Sequence, residues 1–197
     1  MFKNNGQLIL ASGSPRRKRF LEGMGLDFTV AVADVPEVPH DGELPDEFVR
    51  RLAKDKALAV GVDHPEAWVI GADTAVVLDN LILGKPRDPD DGLAMLTMLA
   101  GRIHEVWTGF AICRGSSEVV SRAVCTEVKF VKAGQDLLSA YVATGEPLDK
   151  AGAYGIQGQG GGLVERIDGS YSNVVGLPLA ELIEELLKLG AIAPGTD

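Results

Sequence analysis

The chain reads LILASGSPRRKRF from residue 8 to residue 20, and this stretch decides how its N-terminal part folds. Leu8 to Ala11 is a short apolar run that predicts a strand, and Ser12 to Ser14 predict a turn. Ser14 is a good N-cap and Pro15 a good first residue for the helix that follows. We therefore expect a strand, a turn and a helix to follow one another without a linker.

This helix begins with a basic run from Arg16 to Arg19. The first turn of a helix is partially positive and favours acids, so each exposed arginine there costs about 0.3–1 kcal/mol. The same backbone N–H groups and guanidinium groups can bind a phosphate. A solvated basic face is the alternative. The strand–turn–helix context favours phosphate binding by Ser12, Ser14, Arg16 and Arg17, with Arg16 as the strongest candidate.

Strand and helix patterns alternate irregularly along the rest of the chain. We expect further helices at 45–60, 88–99, 137–143 and 178–189, and strands at 28–32, 68–78, 81–83, 106–113 and 119–131. Residues 145–176 show no clear period. Helices separate some strands and hairpins join others, which predicts an α/β protein with a mixed sheet. The 197 residues contain no repeat and no linker, so one domain is expected to cover 1–197.

Two charged residues interrupt apolar patterns. Asp73, followed by Thr74, lies inside the apolar run 68–78, where a carboxylate is costly unless it is paired or binds a metal. A general base or metal ligand is therefore favoured over an aspartate at a strand end. Lys56 lies at the edge of the apolar stripe of the second helix. From this spacing alone, we expect its ammonium group to reach solvent.

A long glycine-rich stretch reads GEPLDKAGAYGIQG from residue 145 to residue 158. Its glycines would let the backbone approach a ligand closely, and Gln157 offers both a donor and an acceptor to the edge of a base. A surface loop with turn residues is the alternative interpretation. Lys85, in the short GKP sequence at 84–86, indicates by itself only a surface turn.

Composition and charge exclude several function classes. The net charge of −9 argues against a general nucleic-acid surface, so a bound phosphate would need local cations and a divalent metal. The sequence has no phosphate-loop, dinucleotide-binding or nucleophile-elbow motif. Cys113 and Cys125 lie in apolar runs and are expected to be core residues, and His104 a structural histidine. No signal peptide or membrane span is visible, so a cytoplasmic protein without a membrane partner is expected.

Five motifs, taken in order, resemble those of the Maf family of nucleoside triphosphate pyrophosphatases. They are SGSPRR at 12–17, LAKDKA at 52–57, GADT at 71–74, GKP at 84–86 and EPLDKAGAYGIQG at 146–158. The resemblance extends from about Leu8 to Leu187. It implies a fold like that of the inosine triphosphate pyrophosphatases, with a mixed curved sheet, flanking helices and two lobes around a deep cleft. It also implies hydrolysis to a monophosphate and pyrophosphate with Mg²⁺ or Mn²⁺, and a homodimer.

The resemblance assigns roles to individual residues. It implies that Asp73 is the catalytic proton acceptor, and that Asp73 and Glu37 hold the metal ion. Asp34 competes with Glu37 for the role of the second acid. Lys56 and Lys85 match the lysines of the family's cleft.

The family's dTTP/UTP subgroup is marked by an arginine, a threonine and a glutamine, which are Arg16, Thr74 and Gln157 here. Thr74 and Gln157 would read the pyrimidine. Two alternatives remain: a pyrophosphatase for modified nucleotides such as 7-methyl-GTP, and a nucleotide-binding regulator of cell division.

Overall fold

The computed structural model describes residues 1–195, and the chain divides into two units. Unit 1 contains Met1–Asp73, Thr108–Val124 and the chain from Gly176 onward. Unit 2 contains Thr74–Trp107 and Cys125–Val175. The single domain expected over 1–197 stays a prediction. Across the described residues, no helix is long and apolar enough to cross a membrane.

The helices and strands follow the expected order. The strands are β1 Phe2–Asn4, β2 Leu8–Ala11, β3 Thr29–Val30, β4 Trp68–Leu78, β5 Leu81–Leu83, β6 Ile103–Arg114, β7 Ser117–Phe130, β8 Val164–Asp168 and β9 Ile192–Pro194. The α-helices are α1 Pro15–Gly23, α2 Pro45–Gly61, α3 Pro89–Leu99, α4 Gln135–Ala143, α5 Tyr171–Val175 and α6 Leu179–Lys188. Short 3-10 helices cover Glu146–Asp149, Ala151–Ala153 and Gln159–Leu163.

The main sheet is mixed, which confirms the predicted α/β class. Its strand order is β3-β2-β4-β6-β7-β8, with β5 paired to β4. Strand β2 pairs in parallel with β3 and β4, whereas β5 pairs antiparallel with β4 and β8 antiparallel with β7. Strands β1 and β9 form a separate antiparallel pair.

Several elements differ from the sequence-based expectation. Strands β6 and β7 are longer than expected and β3 is shorter. The stretch 145–176, which showed no period, contains β8 and α5. Strand β8 was missed because its sequence is VERID and none of its residues is buried, so it lacks an apolar pattern. The hairpin between β4 and β5 turns at Asp79 and Asn80, whose φ values of 50° and 67° are typical of a tight hairpin turn.

Unit 1 has helices on both faces of its strands. Successive residues of a strand point to opposite faces of the sheet. Ile9 of β2 therefore packs in a cluster with Ala53 and Ala57 of α2, whereas Leu10 packs in a cluster with Leu182 of α6. The core of unit 1 is thus built on both faces of β2.

Unit 2 has its own apolar core, which includes Val76 of β4, Leu96 of α3 and Leu138 of α4. His104 is buried in this unit, with its Nε2 atom 2.9 Å from the Tyr154 hydroxyl oxygen. Burial lowers the pKa of His104 to about 4, so the ring is neutral at pH 7. His104 is therefore a structural histidine, as expected. Cys113 is buried as a free thiol, and Cys125 is a half-buried free thiol.

Helix α2 approaches two strands of unit 1 backbone to backbone. A Cβ atom on Gly71 of β4 would lie 2.1 Å from the Ala53 carbonyl oxygen. A Cβ atom on Gly109 of β6 would lie 2.3 Å from the Val49 carbonyl oxygen. Any larger residue at either glycine would push the helix away. The two glycines and the small Ala53 therefore fix the distance between α2 and these strands.

We expect Gly71→Ala to lower the free energy of unfolding by about 1–3 kcal/mol or more, because the added methyl group would overlap the Ala53 carbonyl oxygen. Urea denaturation followed by circular dichroism measures this loss. Gly23→Ala is the matched control, since an added methyl group at the end of α1 meets no atom within 4 Å. An unfolding free energy of Gly71→Ala equal to that of the unmodified protein would contradict the close packing.

Candidate active site

The SGSPRR turn is held together by its own side chains. The Ser14 hydroxyl caps α1 and accepts a hydrogen bond from the Arg17 amide. The Ser12 hydroxyl, which is almost completely buried, accepts from the Ser14 amide at 3.3 Å and from Arg17 Nη1 at 2.9 Å. Arg17 Nε also donates to the Gly176 carbonyl oxygen at 2.7 Å. Arg17 thus joins the turn to the segment that leads into α6.

The first two arginines of α1, Arg16 and Arg17, are both half-buried. Burial lowers the pKa of the Arg17 guanidinium, and the nearby charge of Asp73 raises it. The Arg17 guanidinium therefore lies within electrostatic range of Asp73 and bonds to protein groups. Arg16 lies half-buried in the first turn of α1. A helix N-terminus with a guanidinium beside it is a suitable place for a phosphate group.

Lys56 connects the two acids that the sequence singled out. Its Nζ atom donates to Asp73 Oδ1 at 2.5 Å and to Glu37 Oε1 at 2.6 Å. The Lys56 side chain is only 12% exposed, so the expectation from spacing that it reaches solvent is wrong. The reason is the close packing of α2 at Gly71, which brings Lys56 next to the residue two positions further along β4. The distance between Lys56 and Asp73 cannot be inferred from helical spacing alone.

Glu37 is the acid that the structure brings to Lys56. The Glu37 side chain is 42% exposed and comes from the irregular segment between β3 and α2. Asp73 is 7% exposed and lies in the middle of β4. Asp34 is exposed in the same irregular segment as Glu37. The geometry thus favours Glu37 over Asp34 as the partner of Asp73.

The two carboxylates also fit a divalent cation. Both contact a single ammonium nitrogen, so Glu37 and Asp73 already converge on one positive charge. Among the residues that the structure describes, no group of three or more His, Cys, Asp or Glu side chains could hold a metal ion. Mg²⁺ is commonly bound by one or two carboxylates together with substrate phosphates and water. Glu37 and Asp73 are thus the described residues that could hold such a cation.

The remaining candidate residues belong to unit 2. Thr74 follows Asp73 directly in β4, and Lys85 is exposed in the loop after β5. The Gly84 carbonyl oxygen, next to Lys85, accepts a hydrogen bond from the Gly152 amide at 3.0 Å. Gln157 is exposed in the turn between two 3-10 helices.

Glu146 organises the loop that carries Gln157, a role that the sequence did not reveal. Its carboxylate accepts hydrogen bonds from the Tyr141 hydroxyl at 2.9 Å, the Gln159 amide at 2.9 Å and the Gly160 amide at 3.2 Å. The Tyr141 hydroxyl accepts in turn from the Gly155 amide at 3.1 Å. Burial raises the pKa of Tyr141, so this hydroxyl stays protonated and donates to Glu146.

Close packing explains why two residues of this loop, Gly158 and Gly160, are glycines. A Cβ atom on Gly158 would lie 2.4 Å from Glu146 Oε2, and a Cβ atom on Gly160 would lie 2.4 Å from the Tyr141 hydroxyl oxygen. The space beside both glycines is taken by these two side chains. The expectation that glycine marks close approach of a ligand is therefore replaced, at these two positions, by close approach of Glu146 and Tyr141.

Comparison of the sequence with known proteins identifies its family. A family model described as Maf-like protein matches residues 7–189. The chain belongs to the Maf-like family. A relative from Desulfotalea psychrophila named dTTP/UTP pyrophosphatase is 54% identical, over 98% of this chain and all of its own length. A relative of the same name from Geobacter metallireducens is 50% identical, over 95% of this chain and 98% of its own.

The fold of this Maf-like protein is also found among solved structures, and one example follows. A HAM1 protein from Coxiella burnetii is 14% identical and aligns with a TM-score of 0.53. The alignment covers 92% of this chain and 98% of the other. The likeness therefore concerns the fold alone.

Arg17 and Arg19, which both lie in α1, should respond differently to mutation. We expect Arg17→Gln to lower the free energy of unfolding by about 1–3 kcal/mol, because it removes the guanidinium that bonds to Ser12 and Gly176. Thermal denaturation at constant pH measures the effect. Arg19→Gln, at an exposed position of the same helix, is the control and should leave stability within about 0.5 kcal/mol. A stable Arg17→Gln protein would show that these bonds do not hold the turn.

Tyr141→Phe tests the organisation of the Gln157 loop. The change keeps the ring and removes the hydroxyl between Glu146 and the Gly155 amide, so faster amide exchange is expected at residues 155–160. Hydrogen exchange measured by mass spectrometry reports this region separately from the rest of the chain. Tyr171→Phe, at an exposed tyrosine, is the control. Unchanged protection of 155–160 in Tyr141→Phe would exclude the role given to Tyr141.

Proposed function

We propose that this Maf-like protein hydrolyses dTTP and UTP to the nucleoside monophosphate and pyrophosphate. The observation that carries the proposal is the Lys56 ammonium between Glu37 and Asp73, in the same unit as the SGSPRR turn. A buried cation held by two acids, with a helix N-terminus in the same unit, is suited to a substrate with a charged phosphate chain. Relatives about half identical to this chain are named dTTP/UTP pyrophosphatase, which supports the choice of nucleotide.

In the proposed reaction, Asp73 accepts a proton from a water molecule that attacks the α-phosphorus. The new bond joins the water oxygen to the α-phosphorus. The bond that breaks joins the α-phosphorus to the oxygen bridging to the β-phosphate, so pyrophosphate leaves. Arg16 and the free N–H groups of α1 bind phosphate oxygens. Lys56 and Lys85 balance the charge that builds up on the leaving pyrophosphate.

Recognition of the nucleobase and binding of the metal ion involve three further residues together with Asp73. Thr74 and Gln157 recognise the pyrimidine, since both can donate and accept hydrogen bonds. Glu37 and Asp73 hold a divalent cation, Mg²⁺ or Mn²⁺, together with phosphate oxygens of the substrate. When bound, this cation supplies positive charge beside those oxygens. Removal of non-standard nucleotides is the proposed use of the activity. Cytoplasmic location, a homodimer and the absence of nucleic-acid partners remain predictions.

A panel of nucleoside triphosphates with Mg²⁺ or Mn²⁺ tests the function. Release of pyrophosphate is expected from dTTP and UTP at higher kcat/KM than from the other triphosphates. Preference for 7-methyl-GTP would contradict the pyrimidine assignment. Nucleotide binding without release of pyrophosphate would instead indicate a regulatory binding protein.

Asp73→Asn ties the activity to the proposed base. The amide cannot accept the proton, so a fall in kcat of about 10²–10⁴-fold is expected while the protein stays folded. The matched control is Asp63→Asn, at an exposed aspartate of unit 1, which should keep full activity. An Asp73→Asn protein with nearly normal turnover would remove Asp73 from this role.

A further inference from the structure

The segment from Ala31 to Leu44 carries Glu37. Its apolar anchors lie at its beginning, where Ala31 and Ala33 are half-buried and pack against the core of unit 1. The segment contains no helix or strand, and none of its residues is buried. Residues 36–42, which include Glu37, are exposed, so burial of apolar side chains does not fix the path of this part of the segment. Ordering its backbone carries a large cost in conformational entropy. Polar contacts must hold the segment if Glu37 is to stay next to Lys56.

Those contacts come from Arg51, one turn and a half before Lys56 on α2. Arg51 Nε and Nη2 donate to the two oxygens of Glu43 at 2.6 Å and 2.8 Å. Arg51 Nη2 also donates to the Val38 carbonyl oxygen at 3.0 Å. Val38 directly follows Glu37, so Arg51 binds the segment at the residue next to the acid and again at Glu43.

Glu43 also forms a turn within the segment through hydrogen bonds with His40. The His40 amide donates to Glu43 Oε2 at 3.0 Å, and the Glu43 amide donates to the His40 carbonyl oxygen at 3.1 Å. Only 8% of the Glu43 side chain and 24% of the Arg51 side chain are exposed. The Arg51 guanidinium also lies over the Phe48 ring, 5.6 Å from its centre, which limits the rotamers it can adopt.

We propose that Arg51 and Glu43 are positioning residues that hold Glu37 beside Lys56 and Asp73. The effect on catalysis rests on the function proposed above, whereas the effect on the segment does not. A bidentate guanidinium–carboxylate pair fixes both the distance and the orientation of its two side chains, whereas a single hydrogen bond does not. With the Val38 carbonyl bound as well, the chain on either side of residues 39–42 is attached to α2.

Electrostatic interactions keep the Glu43–Arg51 pair ionised at neutral pH. The hydrogen bonds from Arg51 lower the pKa of Glu43 from its ordinary value of 4.5 to about 2, and the same pairing raises the pKa of Arg51. A lowered carboxylate pKa means that the stabilisation is complete above about pH 4.5 and is lost as the pH falls towards 2. Asp55, 3.7 Å from Arg51 Nη1, adds to the negative charge around the guanidinium.

Hydrogen exchange of the whole protein tests the positioning without reference to catalysis. In Arg51→Gln and in Glu43→Gln, amides of residues 38–44 should exchange at least about tenfold faster, while α6 keeps its protection. Arg50→Gln is the matched control. Arg50 neighbours Arg51 on α2, but its pair with Asp46 at 2.9 Å lies within the helix and holds no part of the segment. Unchanged exchange at 38–44 in both Arg51→Gln and Glu43→Gln would overturn the proposal.

A double-mutant cycle with Glu37 tests the consequence for catalysis. Arg51→Gln should lower kcat by about 10–100-fold with a smaller change in KM, because the acid is misplaced. In a Glu37→Gln background the same change should cost almost nothing more, since there is no acid left to position. Arg51→Lys should recover part of the loss. If the fold-losses in kcat of the two single variants multiply in the double variant, Arg51 does not act through Glu37.

The two experiments separate the possible failures. If no nucleotide is hydrolysed by the unmodified protein, the proposed function fails while the exchange result still decides the role of Arg51. If Arg51→Gln does not fold, Glu43→Gln provides the same two measurements from the other side of the pair. Normal exchange together with normal kcat in Glu43→Gln would then reject the proposal.

Discussion

The contact of one buried ammonium with two carboxylates is the constraint on which the rest of unit 1 depends. Lys56 and Asp73 have side chains that are only 12% and 11% exposed, so neither charge can be satisfied by water alone. Loss of the Lys56 ammonium would remove the contact from the buried Asp73 carboxylate, and breaking a buried pair in this way costs about 3–5 kcal/mol. The glycines under α2, and the pair that ties the Glu37 segment to this helix, both serve to keep the three charges together.

Much of the fold and part of the site could be predicted from sequence. Strand β2, the cap at Ser14 and the β4–β5 hairpin depend on neighbouring residues, and local patterns record them faithfully. Asp73 stood out because a carboxylate inside an apolar strand has to be paired. Lys56 did not, because its direction depends on how closely α2 approaches β4. That distance is set at Gly71, which lies in another element.

The parts that sequence reasoning missed are those held by long-range polar contacts. The Glu43–Arg51 pair joins an irregular segment to a helix, and the Glu146–Tyr141 pair joins a 3-10 helix to α4. Neither spacing corresponds to a regular period of helix or strand. The same holds for β8, whose polar residues are ordered by pairing with β7 rather than by burial. Tertiary context overrides local propensity at these places.

The close packing of α2 also has a consequence for motion. Because the helix backbone touches strand backbone at both Gly71 and Gly109, α2 cannot slide along its axis or roll without forcing a carbonyl group into a strand. Rearrangement of side chains, the usual route by which packed helices shift, offers no slack where no side chain intervenes. We therefore expect motion of the Lys56 ammonium to come from the torsions of its own side chain rather than from shifts of the helix.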